Sequence, residues 1–116
     1  MKDWAAIRER YLQDHVAVRL GGLAANLSRI QSFATYDTSR EAVASVIEES
    51  KYFIEWTAAE AEVSTAAELV KLQIQLAGWQ RNWGHIWDDP RQRSQMAEES
   101  AAWSKRVLEM SGLLSR

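Results

Sequence analysis

The chain has 116 residues, 47% of them hydrophobic, a formal net charge of −2 and no cysteine. That length suits one domain with a real core, and the apolar content excludes disorder. The missing thiols exclude a disulfide frame, a thiolate zinc site and a cysteine nucleophile. The slightly acidic balance argues against nucleic acid as a partner, because neutralising phosphates requires a basic face.

The opening residues Met1-Lys2-Asp3-Trp4 lack the apolar run of a secretion signal. No stretch approaches the ~20 apolar residues of a membrane helix. A cytoplasmic protein without membrane association is therefore expected. One Pro and five Gly leave most of the chain free to be helical.

Residues 3–12 carry a helical pattern through Trp4, Ile7 and Tyr11. From Leu12 another stripe begins, with Val16, Leu20, Leu23, Leu27, Ile30 and Ala34, and predicts a helix over about 14–36. The two stripes lie on different faces. In a continuous helix turning about 100° per residue, Trp4, Tyr11, Val18, Gly22 and Ala25 fall nearly opposite Leu20 and Leu27. Either the chain bends near Gln13-Asp14 and the first segment folds onto a neighbour, or one long helix has two apolar faces. Gly21-Gly22 would cost about 1 kcal/mol per Gly inside a helix. The Leu stripe keeps its phase through the pair, so the helix is expected to continue there.

Thr38-Ser39-Arg40-Glu41 reads as a capping box opening a helix over about 39–62. Its inward residues are Val43, Val46, Ile47, Ser50, Phe53, Ile54, Thr57 and Ala61. Val63-Ser64 breaks that pattern, and Thr65-Ala66-Ala67-Glu68 is a further capping box, opening a helix over about 65–88. Here Leu69, Leu72, Leu76, Trp79, Trp83 and Ile86 form one stripe. Asp89-Pro90 supplies an N-cap acceptor and a Pro at the first helical position. The helix that follows, about 90–112, turns Met96, Ser100, Trp103, Val107, Met110 and Leu114 inward. Short connections force antiparallel neighbours. The expected fold is all-α: a single domain over 1–116, an up-down-up-down antiparallel four-helix bundle, with a short extra N-terminal helix if the chain bends.

Helical bundles often hold metals, and the di-iron type requires Glu-x-x-His pairs. Three residues before His15 and His85 stand Leu12 and Asn82, and the core stripes contain no carboxylate. No metal or cofactor is expected. Glu48-Glu49 and Glu60-Ala61-Glu62 lack apolar surroundings that would raise a carboxyl pKa, and no phosphate loop or nucleophile set is present. An enzyme is not expected.

Trp79, Trp83 and Trp103 occupy the middle of their stripes. They read as core, with Gln75, Gln80 or Ser100 as acceptors for the indole N–H groups. The alternative is a Trp-lined interior carrying a flat or apolar small molecule. Tyr52 and Trp56 project away from their helix's core stripe, and Val70 and Ile74, with Ala77 beside them, point outward on the next helix.

The predicted interaction surface is therefore Trp4, Tyr11, Val18, Gly22, Ala25, Tyr52, Trp56, Val70 and Ile74. Its cover is the folded-back N-terminal segment, a second copy of the chain or a different protein. The expected function is non-enzymatic protein–protein contact, as a homodimer or adaptor.

The segments Arg19–Leu27, Glu49–Trp56 and Val107–Leu114 resemble small helical proteins of cyanobacteria. That resemblance implies a bacterial, intracellular origin. It brings no activity and no functional residue with it.

Overall fold

The computed structural model describes residues 2–114. Six α-helices follow one another: α1 (Trp4–Leu12), α2 (Val16–Phe33), α3 (Arg40–Thr57), α4 (Val63–Arg81), α5 (Trp83–Asp88) and α6 (Pro90–Ser111). Single 3-10 turns cover Asp37–Ser39 and Ala58–Glu60, and no strand occurs among the described residues.

The chain bends between α1 and α2. Gln13 keeps helical angles and its N–H bonds back to Arg10, whereas His15 is extended at ψ 158. The bend has a side-chain cause. Arg19, on the first turns of α2, reaches back to the carbonyl of Leu12, which would otherwise be orphaned at the end of α1, and to that of Asp14 in the bend. The helix expected from residue 14 thus starts at Val16 and stops at Phe33. It runs through Gly21-Gly22 unbroken.

Three further expectations are corrected. Neither capping box forms: Ser39 precedes α3 and Glu62 precedes α4 with no side-chain cap bond. Helix α4 begins at Val63, so Val63-Ser64 opens the helix and Thr65 lies within it. The helix expected over 65–88 is interrupted at Asn82, whose φ −106 and ψ 22 leave the helical region. There the Asn82 backbone N–H and its side-chain amide both donate to the Gly78 carbonyl, at 3.2 and 3.1 Å, a local side-chain bond of the kind that favours turns over helix. The ends of α6 follow the prediction. Asp89 accepts from the Arg91 N–H at 2.9 Å, and Gly112 closes the helix at φ 77, a left-handed conformation that favours glycine.

The core joins the predicted stripes. Leu23, Leu27 and Ile30 of α2, Val43 and Ile47 of α3, Leu69, Leu72 and Leu76 of α4, and Val107 of α6 are fully buried. At the far end, Leu114 departs from its predicted inward place and is 67% exposed. Helix α2 packs most extensively on α6 and α3, and α3 packs on α4. Small residues permit the α2–α6 approach. Ser104 Oγ donates to the Ala24 carbonyl at 2.7 Å, and a Cβ on Gly21 would come within 3.0 Å of Leu113 Cδ1.

Candidate functional site

The nine residues predicted to face a partner divide into two groups. Trp4, Tyr11, Tyr52 and Trp56 pack on one another where α1 lies against α3. Trp4 and Tyr52 have ring centroids 4.3 Å apart, Tyr52 and Trp56 5.5 Å, and Trp4 and Trp56 6.5 Å. Tyr11 stacks on Phe53 at 3.9 Å with planes 10° apart. The folded-back N-terminal segment is thus the cover for these aromatics. Tyr11 is buried and the other three are half-buried, so this part of the predicted open surface is corrected to an internal seam. Gly22 lies beneath it, where a Cβ would stand 3.7 Å from the Tyr11 ring.

Polar side chains fasten both ends of the seam. The Tyr11 hydroxyl donates to the Arg19 carbonyl at 2.7 Å, and burial pushes its pKa up to about 12. The buried Arg19 guanidinium donates to Asp14 O at 2.8 Å and to Glu60 Oε2 at 2.6 Å. That bond holds the Glu60 carboxyl below its ordinary value. At the other end Lys2 pairs with Glu49 at 3.2 Å, and Glu49 also accepts from buried Asn26 at 3.1 Å.

The second group stays open. Val18 is 46% exposed and Ala25 is also exposed. They line a shallow groove of about 470 Å³ with Gly22, Arg29 and Leu113 among its walls. Val70 and Ile74 are 53% and 68% exposed on the outer face of α4. They do not stand alone: Val63, Ala67 and Ala77 share that face and are all exposed. The five step by four, three, four and three residues. Val63 escaped the sequence reading because the helix was expected to begin two residues later, at Thr65; Ala67 lay within the expected helix and was not singled out. Their spacing to Val70 was the available signal.

The three Trp residues proposed for a pocket are not brought around one cavity. Trp79 is buried in the core, while Trp83 is half-buried and packs against Trp87 with ring centroids 5.4 Å apart and planes tilted by 38°. Trp103 donates to Gln75 Oε1 at 2.6 Å, an acceptor expected from the sequence, and Arg106 lies over its ring. The cleft that Trp103 lines, of about 170 Å³, is walled by Glu99, Ala102 and Arg106 and includes neither Trp79 nor Trp83. The break at Asn82 separates Trp83 from α4. After it Ile86 keeps its predicted inward place, and Trp87, off the predicted stripe, is buried as well.

Among the described residues no three His, Asp or Glu side chains group as a metal site, and no helix is long and apolar enough to cross a membrane. His85 is exposed in an open cleft with Asp88 and Asp89. Asp89 is already engaged as the α6 cap: bonds from Gln92 and the Arg91 N–H lower its pKa. No family model, curated protein or solved structure matches the chain.

Proposed function

We propose that this chain is a non-enzymatic helical bundle that works by protein–protein contact, with the outer face of α4 as its contact surface. In this reading α2, α3, α4 and α6 form an up-down antiparallel four-helix bundle, α1 is a strap across α3, and α5 is a short continuation of α4. The carrying observation is the exposed ridge Val63, Ala67, Val70, Ile74 and Ala77. Isolated exposed apolar residues are ordinary; a continuous apolar line along a helix marks a contact site. The opposite face of the same helix already supplies Leu69, Leu72, Leu76 and Trp79 to the core, so the ridge does nothing for the fold of a lone chain. A carrier role is less well supported, because Trp79, Trp83 and Trp103 do not surround a common space.

A photoreactive benzophenone side chain at position 74, introduced in cells that make the protein, tests the proposal. The expected result is a covalent adduct with a polypeptide at position 74 and none at position 8, where Arg8 is exposed on α1. Absence of adducts from both positions would refute it.

A further inference from the structure

The partner of this face can be named from the ridge's spacing and from the charges at its ends, given the contact reading above. The steps from Val63 to Ala77 average 3.5 residues, the period of a coiled-coil seam. The next step of four reaches Arg81, the last residue of α4. Ala67 and Ala77 flank Val70 and Ile74, so a facing helix can pack on the central pair at an axial distance of about 8–10 Å.

Opposite charges stand at the two ends. Glu62 immediately precedes α4 and Arg81 ends it, about 28 Å away by helical rise. Both are exposed, and among the described residues neither belongs to an ion pair. Near the middle of the ridge the one cation, Lys71, is neutralised by Glu68 at 2.6 Å. A parallel partner of the same sequence would set Glu62 against Glu62 and Arg81 against Arg81. An antiparallel one sets each Glu62 beside the partner's Arg81 and opposes the two helix dipoles. A two-fold axis also makes the surface self-complementary. From these features we infer that α4 pairs antiparallel with α4 of a second copy of this chain, about a two-fold axis passing between Val70 and Ile74.

Because the chain has no cysteine, single cysteines report the geometry directly. In the antiparallel pair the two copies of position 70 lie within about 5 Å along the axes, and those of position 63 about 25 Å apart. Only the former is within disulfide reach. Val70→Cys should therefore form a covalent dimer under mild oxidation and Val63→Cys should not.

Sedimentation of the protein without added cysteine should show a dimer. Ile74→Glu should weaken it roughly tenfold or more with an unchanged circular dichroism spectrum, since the side chain is 68% exposed. At low salt Glu62→Arg should weaken the dimer several-fold, and the double variant Glu62→Arg/Arg81→Glu should restore it.

Equal cross-linking at positions 70 and 63, or a dimer indifferent to Ile74→Glu, overturns the inference. A monomer up to about 100 µM overturns it too. In that case an adduct with a different protein at position 74 would still uphold the contact reading, whereas no adduct would remove both.

Discussion

Replacing Arg19 with Met would keep the aliphatic stem and remove the guanidinium fork that closes the α1–α2 bend. The fork donates to Asp14 O at 2.8 Å, to Leu12 O at 3.3 Å and to Glu60 at 2.6 Å. Its side chain is 7% exposed, whereas that of Glu60 is 55% exposed. The Glu60 end adds little, because exposed ion pairs are screened. The carbonyl bonds matter more: a hydrogen bond from a charged group contributes about 1.5–3 kcal/mol. The Asp14 bond is short and the Leu12 bond long, so the loss should be about 2–3 kcal/mol.

For a domain of this size that corresponds to a fall in Tm of roughly 8–12 °C, measurable by far-ultraviolet circular dichroism at pH 7. Arg19→Lys should lose about half as much, since an ammonium cannot match the planar fork's geometry. Amide exchange should accelerate across residues 4–12 more than within α2, because α1 is the element released. A fall below about 2 °C, or exchange that rises evenly over the chain, would refute the idea that Arg19 sets the bend.

Other substitutions follow from single observations. Ser100 Oγ is buried without a hydrogen-bond partner, so Ser100→Ala should stabilise by about 1 kcal/mol; a lower Tm would show the hydroxyl to be bonded. A Cβ on Gly78 meets nothing within 4 Å, so Gly78→Ala should gain about 0.5–1 kcal/mol from helix propensity. Gly112→Ala should lose about 1 kcal/mol because φ is 77. Equal effects of the two on thermal unfolding would contradict this.

Arg19 lowers the Glu60 pKa from its ordinary 4.5. A depressed carboxyl stabilises above its unfolded value and loses that contribution as pH falls through the folded one. The stability advantage over Glu60→Gln should hold at pH 7 and shrink below 4.5 in acid titration. An advantage independent of pH would exclude the ion pair as its source.

Much of the helical framework is legible in the sequence because burial imposes a period. Leu23, Leu27, Ile30, Val43, Ile47, Leu72 and Leu76 were placed inward by spacing alone, and all are buried. The start of α6 at Asp89-Pro90 was legible for a local reason, an acceptor side chain followed by a residue suited to the first turn. The break at Asn82 was not. It is accompanied by a local side-chain bond from Asn82 to the Gly78 carbonyl, and the Trp79–Trp83 spacing is compatible with an uninterrupted helix. The predicted capping boxes failed for the converse reason: residue type permits such bonds without compelling them.

The same division runs through the candidate site. By itself the sequence determined that Trp4, Tyr11, Tyr52 and Trp56 lie off the core stripes and that Val70 and Ile74 face outward, because helical angle follows from residue number. Only the tertiary structure decided which of these faces stays open. The bend at residues 13–15 lays α1 over Tyr52 and Trp56, and among the described residues no comparable segment covers the outer face of α4. That choice rests on Arg19 reaching the carbonyls of α1 and the carboxylate of Glu60, contacts across 5 to 41 residues that no local period encodes.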